Sequence, residues 1–466
     1  MKEAAVPDPS TNNAAAPAAR SLDMRAHGAQ SSGTPADAAS VAALPLDDID
    51  VSNGYLFRDD TIGLHFERLR REDPVHWCRE SRFGPFWSIT RFRDIQEVEL
   101  DHEVFSSDAS LGGIALFEAQ PEENWPSFIA MDPPEHDAQR KTVAPIAAPP
   151  ALARFESLIR ERVTRILDGL PRDTPFDWVE RVSIELTTQM LATLFDFPFE
   201  QRAKLTWWSE MATGDPRMKG LVTSWEMRRE ELGKCQAAFT ELWNQRVNAP
   251  PKFDLISMMA HAPATRHLTP DAFLGNLILL IVGGNDTTRN SISGGLLALN
   301  RFPGEWEKLR RDPSLVASLV PEIIRWQTPL AHMRRTARAD AVVGGKTIRK
   351  GEKLALWYLS ANRDADVIEA PERFIVDRAK PRTHLSFGFG IHHCMGNRIA
   401  ELQLQVLWEE ILKRDLVIQV VGEPQRTLSN FVHGFTKMTV RMAKDVSDLK
   451  ANEERMDAID MKGIKR

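Results

Sequence analysis

Residues Phe387-Gly-Phe-Gly-Ile-His-His-Cys-Met-Gly396 are the most chemically loaded stretch of this chain, and they stand directly before an apolar-periodic run over 397–413. That run has the 3.6-residue spacing of a helix. A cysteine just ahead of a helix N-terminus lies in the positive end of the macrodipole, which favours thiolate. The neighbouring glycines let backbone N–H groups approach the sulfur, and such donors stabilise its charge. A stabilised thiolate in a glycine-rich loop is a good axial ligand for haem iron. Two plainer readings use the same residues. An isolated cysteine is most often buried and inert. His392, His393 and Cys394 could share a zinc ion, but no second ligand pair lies at finger spacing.

Composition narrows the field around that loop. The chain has 466 residues, 42% of them hydrophobic, and a net charge of −6. It is long enough for two or three domains or one large one, at about 100–200 residues per domain. An acidic balance gives no basic footprint for nucleic acid. The three cysteines, Cys78, Cys235 and Cys394, exclude a disulfide scaffold and fit a reducing cytosol. The longest clean apolar run, 277–282, is far short of the roughly 18 residues of a membrane span. No secretory leader is legible, so a cytoplasmic protein is expected. Residues 1–45 hold 14 Ala and 5 Pro and are expected to be disordered. Residues 46–444 read as one large domain, and 445–466 as a charged tail.

Apolar spacing predicts helices over 155–170, 180–194, 229–246, 271–300 and 397–413. Strand signals cluster at 341–350, around a Gly344-Gly345 turn, and at 417–442. The fold class is therefore mainly α with small β-sheets. Gly344-Gly345-Lys346-Thr347 looks like the end of a phosphate loop, but Asp340 stands where the first glycine belongs. A hairpin turn is the simpler reading.

Within the 271–300 helix lies Gly283-Gly284-Asn285-Asp286-Thr287-Thr288. Two adjacent glycines inside a helix cost about 1 kcal/mol each relative to alanine, so they need a reason. Close packing of another helix is the ordinary one. The functional one is a groove that lets a flat cofactor and a diatomic ligand approach the backbone. Asp286 and Thr287 then set a carboxylate and a hydroxyl beside that groove, the pair needed to deliver protons when O2 is cleaved. The glycosylation acceptor spelled by Asn285-Asp286-Thr287 is discounted inside an apolar helix.

Together these segments resemble the cytochrome P450 superfamily of haem-thiolate monooxygenases. Phe387, Gly390, Cys394 and Gly396 match its cysteine motif, and the Gly-Gly-x-Asp-Thr string, with Thr287 107 residues before the cysteine, matches its oxygen-activation motif. The resemblance implies haem b with Cys394 as its iron ligand, Phe387 packed beside the thiolate, and Gly388 and Gly396 among the cofactor-binding residues. It implies that His392 reaches a haem propionate. The run Met131-Asp-Pro-Pro-Glu-His136-x-x-x-Arg140 resembles the segment giving two more propionate partners, His136 and Arg140. Arg335 matches a further one, with Arg334 as the off-by-one alternative. Asp286 and Thr287 take the catalytic roles. Glu322 and Arg325, 72 residues before Cys394, would form a buried pair joined by Arg373 of Pro371-Glu-Arg-Phe374, serving architecture. Glu67/Arg70, Glu226/Arg229 and Glu307/Arg310 share the spacing but read as solvent-facing helix pairs.

Within that superfamily the chain is similar, over roughly residues 45–440, to bacterial terminal hydroxylases of alkanes and fatty acids. Phe83-Gly-Pro-Phe-Trp-Ser88, 277–290 and Glu322-Ile-Ile-Arg-Trp-Gln-Thr-Pro-Leu-Ala331 carry the likeness. It implies insertion of one oxygen into the end methyl of a linear chain by a monomer. No Gly-x-Gly-x-x-Gly fingerprint is present, so electrons from NAD(P)H are expected through a separate ferredoxin and its reductase. Terminal C–H bonds are the stronger ones, so a narrow apolar channel must present the chain end. Its expected walls are Ile114, Leu116 and Phe117; Leu279, Val282 and Gly283; Leu330 and Met333; and Phe431 and Val432. His332 and the 111–117 run are unlike the family's usual residues. The alternatives are a cyclic or terpenoid substrate, a peroxide-driven hydroxylase, and a non-catalytic haem sensor. The Asp286-Thr287 pair argues against the last two.

Overall fold

The computed structural model describes residues 37–117, 125–218 and 220–449. Helix α1 (Phe92–Leu100) ends against the loop that precedes Cys394, while α2 (Glu135–Val143), α3 (Ala203–Thr213), α4 (Pro270–Arg301), α5 (Val316–Gln327) and α6 (Asn397–Lys413) each contribute to the wall of a central cavity. Helix α4 opens cleanly because the Thr269 side chain accepts from Ala272 N–H and Pro270 occupies the first turn. Its 32 residues make a rod about 48 Å long. It is buried on most of its circumference, as the apolar run required. Helix α6 coincides with the predicted 397–413. The helix expected over 180–194 begins as a π-turn segment, Val179–Ile184, before becoming α-helical over Glu185–Phe195. Ser183 hydrogen-bonds Ser293 of α4 there, at 2.8 Å.

The sheets are small, as expected. The largest has five strands in the spatial order Val75–Cys78, Phe86–Ile89, Lys353–Leu356, Met333–Ala337, Phe105–Ser106. Phe86–Ile89 pairs parallel with Lys353–Leu356, with Trp87 opposite Leu354. Ala341–Val343 and Lys346–Ile348 form the hairpin read around Gly344-Gly345, both glycines having positive φ. The main apolar core gathers around α4, α5 and α6, and two smaller ones lie against the faces of the five-stranded sheet.

Both expected boundaries move outward. A short helix, Ala38–Ala43, lies inside the stretch read as disordered. Val41 is buried there, and the Arg68 guanidinium donates to the carbonyls of Val41 and Leu44. At the other end Val446 and Leu449 are buried in the main core although the composition of that stretch is charged. The expectations for 1–36 and 450–466 lie outside the described residues.

Candidate active site

The cysteine loop is closed by its own backbone. Cys394 N–H donates to the Phe387 carbonyl at 2.8 Å. The reversal between them uses left-handed backbone at Gly388 (φ +68) and Gly390 (φ +63). At Gly390 a Cβ would lie 2.4 Å from the Glu99 carbonyl oxygen, so only glycine lets the loop pass the end of α1. Burial pushes the Cys394 thiol pKa up, while backbone N–H groups of Gly396 and Asn397, at the start of α6, and the Arg140 charge pull it down. Cys78 and Cys235 lie in the core, their thiols pushed up by burial. Cys394 alone of the three lines the cavity.

That cavity has a volume of about 880 Å³. Helix α4 forms another of its walls. A Cβ at Gly283 would meet nothing within 4 Å, so this glycine opens space; one at Gly284 would lie 2.7 Å from Leu191 Cδ2, so that glycine serves packing. Thr287 lines the cavity and donates Oγ1–H to the Gly283 carbonyl at 2.8 Å. Asp286 does not line it, which corrects the expectation of a carboxylate beside the groove. Successive helical residues point about 100° apart, and Asp286 is turned into the protein, 1% exposed. Its Oδ1 pairs with Arg289 Nη2 at 2.9 Å, and Arg289 Nη1 reaches Glu210 of α3 at 3.1 Å. Burial raises the Asp286 pKa against the pull of Arg289.

Of the predicted walls, Ile114, Leu116, Phe117, Leu279, Val282, Gly283, Leu330, Met333 and Phe431 all line the cavity. Val432 does not. It forms an isolated bridge with Leu330 and is buried.

A polar set gathers beside the cysteine loop. His136 and His392 lie with ring centroids 4.4 Å apart. His136 Nδ1 pairs with Asp137 at 2.7 Å and His392 Nε2 with Ser107 Oγ at 2.8 Å. His136 Nε2 and His392 Nδ1 are buried without a protein partner. Arg140 donates to the His393 carbonyl at 2.5 Å and lines the cavity. Arg335 Nη2 reaches Glu99 Oε1 at 3.2 Å, and its charge acts on His392. Arg334 is instead committed to the Leu111 carbonyl at 2.9 Å. Sequence reasoning missed Glu99. Its Oε1 also accepts from Tyr358 O–H at 2.5 Å, and burial pushes its pKa up to about 7 despite Arg335. Its position four residues after buried Ile95, on the apolar face of α1, was the available signal.

Behind the loop, Glu322 and Arg325 are both fully buried and doubly bonded at 2.8 Å. Their third partner is Arg378, not Arg373. Arg378 Nε and Nη2 reach the Glu322 carboxylate at 2.9 and 3.2 Å. Arg373 has an exposed side chain and contributes only its carbonyl, which accepts from Arg325 and Arg378. The turn after Pro371 throws residue 373 outward and brings residue 378 back. Burial opposes ionisation of Glu322, but the two guanidinium groups and Ile375 N–H outweigh it and lower its pKa.

The family model described as cytochrome P450 matches residues 183–433. This chain belongs to the cytochrome P450 family. Among solved structures, this P450 is 45% identical to cytochrome P450-153 from Novosphingobium aromaticivorans, with a TM-score of 0.79, over 84% of this chain and 99% of that one. It is 49% identical to CYP153D17 from Sphingomonas sp. PAMC 26605, with a TM-score of 0.80, over 86% and 100% of the two chains. Linalool 8-monooxygenase of Pseudomonas putida is 34% identical over 403 residues, 84% of this P450 and 98% of the relative. A methyl-branched lipid omega-hydroxylase of Mycobacterium tuberculosis is 30% identical over 424 residues, 88% and 96% of the two.

P450s are monooxygenases that bind haem b through a cysteine thiolate and take O2 as co-substrate. The residues present here fit that group. One cavity carries the Cys394 thiol, the open face of Gly283 and, among its arginines, Arg140 and Arg335. The unpartnered imidazole nitrogens of His136 and His392 are buried polar atoms that propionate carboxylates would satisfy, His136 donating through Nε2 when its ring carries a second proton. Among the described residues no group of three His, Cys, Asp or Glu is placed to hold a bare metal ion, and no helix is long and apolar enough to cross a membrane.

Proposed function

We propose that this P450 inserts one oxygen atom from O2 into the terminal C–H bond of a linear alkane or fatty acid. The observation that carries the reading is a single cavity in which Cys394, Gly283 and Thr287 share walls with Leu279, Val282, Leu330, Met333 and Phe431. Apolar walls around one reactive end select a chain by shape. The relative named as an omega-hydroxylase supports oxidation at a chain end.

On this reading Cys394 holds haem b, with Phe387 against the thiolate and Gly388 and Gly396 keeping the backbone clear. His136, Arg140, His392 and Arg335 surround the propionates. When bound, haem supplies the activation of O2. Thr287 holds a hydroxyl in the cavity whose hydrogen rests on the Gly283 carbonyl, which leaves its oxygen able to accept. Asp286 lies behind it, and Arg289 and Glu210 extend that chain of polar groups toward α3. Two electrons and two protons are consumed per turnover, giving the alcohol and water. The electrons come from NAD(P)H through a separate ferredoxin and ferredoxin reductase. A second reading, a branched terpenoid alcohol, is favoured by the relative named linalool 8-monooxygenase.

The test has two parts. Reduced, CO-treated protein should give the red-shifted Soret band of a thiolate ligand, and Cys394→Ala should lose it. Turnover of n-octane, dodecanoic acid and linalool with a surrogate ferredoxin system should give terminal alcohols from the linear chains. Products from linalool alone would move the assignment to the second reading.

A further inference from the structure

His332 has no role in the chemistry above, yet it lies on the cavity wall, 0% exposed. Its ring fills the space between Trp357 and Phe431, with centroid distances of 4.6 and 5.4 Å. Both nitrogens are used. Nδ1 lies 2.9 Å from the Asn430 carbonyl, which can only accept, so Nδ1 carries the proton. Nε2 is then an acceptor, and Leu116 N–H donates to it at 3.4 Å. Burial pushes the His332 pKa down to about 4, which keeps this neutral arrangement near pH 7.

The two partners belong to separate cavity walls. Leu116 sits in the 111–117 run, and Asn430 sits in the turn that carries Phe431. The residues flanking His332 make the same two attachments: Ala331 N–H donates to the Phe431 carbonyl at 2.9 Å, and Arg334 N–H to the Ile114 carbonyl at 2.7 Å. Asn430 is itself anchored, its Nδ2 donating to the Ser52 carbonyl at 2.8 Å. A phenylalanine would fill the same space but leave a buried N–H and a buried carbonyl unpaired, one on each wall.

We infer that His332 is a specificity-positioning residue: by joining the Leu116 wall to the Asn430–Phe431 wall it sets the gap between them, and so which carbon of the substrate reaches the reacting end. The choice of a chain end as that carbon rests on the proposed function; the clamp itself does not.

Holoenzyme carrying His332→Phe tests the inference, with His332→Gln as the rescue, since an amide can donate to one wall and accept from the other. His332→Phe should keep its haem content and reduced-CO band. The ratio of terminal to in-chain alcohol from n-octane and dodecanoic acid should fall at least fivefold, and amide hydrogen exchange in a peptide spanning Leu116 should accelerate about tenfold. His332→Gln should recover most of both. An unchanged product ratio or unchanged exchange in His332→Phe overturns the inference, as does a His332→Gln that behaves like His332→Phe. Should His332→Phe fail to fold, His332→Asn, whose shorter amide reaches one wall at a time, takes its place under the same criteria. If the wild type oxidises neither linear probe at its end, the proposed function fails. The clamp is then judged on the product ratio from linalool and on the exchange measurement, which needs no substrate.

Discussion

Arginine 378 and arginine 373 compete for one structural role, and two alanine substitutions separate them. Glu322 is fully buried and accepts five hydrogen bonds: two from Arg325, two from Arg378 and one from Ile375 N–H. Arg378→Ala removes two of these and one of the two positive charges beside a buried carboxylate. Hydrogen bonds to charged groups contribute about 1.5–3 kcal/mol each. Taking the lower value for both gives about 3 kcal/mol, the scale on which broken buried pairs destabilise proteins. That is roughly a hundredfold in the folded-to-unfolded ratio. Arg373→Ala keeps the carbonyl that matters and removes only an exposed side chain, so its effect stays within about 0.5 kcal/mol. Urea unfolding followed by far-UV circular dichroism measures both, and the haem-to-protein ratio reports the cysteine loop, which Ser386 ties to α5 through the Ile324 carbonyl. An Arg378→Ala variant with a wild-type midpoint would refute the assignment. So would an Arg373→Ala variant that loses as much.

Two further outcomes follow from the same neighbourhood. Gly390→Ala combines a left-handed backbone, worth about 1–2 kcal/mol against a side chain, with a Cβ 2.4 Å from the Glu99 carbonyl. Haem incorporation should fall sharply in the purified protein, and a fully loaded Gly390→Ala variant would contradict the loop geometry. Glu99 keeps its proton to about pH 7 in the fold against 4.5 as its ordinary value. The folded state therefore binds the extra proton between these limits. The stability contribution is fully present below pH 4.5 and is lost as pH rises through 7, by up to about 3 kcal/mol at 1.36 kcal/mol per unit. Glu99→Gln should remove that slope, so unfolding free energies of the two proteins measured from pH 4.5 to 8 should converge or cross. Parallel curves would show that the carboxyl titrates as an ordinary one.

What could be read from the sequence was contiguous. The cysteine loop and the helix after it share one short stretch, so local rules placed both, and α6 falls on its predicted residues. The double glycine marked a real opening, although only Gly283 makes it. The errors at the site share a physical cause: each concerned which way a side chain points relative to its neighbour. Asp286 and Thr287 are adjacent but about 100° apart on a helix. Phe431 and Val432 are adjacent, yet Phe431 lines the cavity and Val432 does not. Arg373 and Arg378 are separated by an irregular turn whose direction no periodicity records. Glu99 lies nearly three hundred residues from Cys394, and only the folded chain brings its carbonyl against Gly390. Spacing along a chain locates chemistry; facing it requires the tertiary structure.

The parallel pairing of Trp87 with Leu354 has a consequence for synthesis of the chain. Phe86–Ile89 is complete 265 residues before Leu354 exists. At about 5–20 residues per second, that interval lasts roughly 13 to 53 s. Throughout it, the Val75–Cys78 and Phe86–Ile89 hairpin has an apolar face and a bare edge, the form most open to pairing with another chain. Yield of soluble protein should therefore respond to translation speed and nascent-chain crowding before it responds to the stability of the finished enzyme.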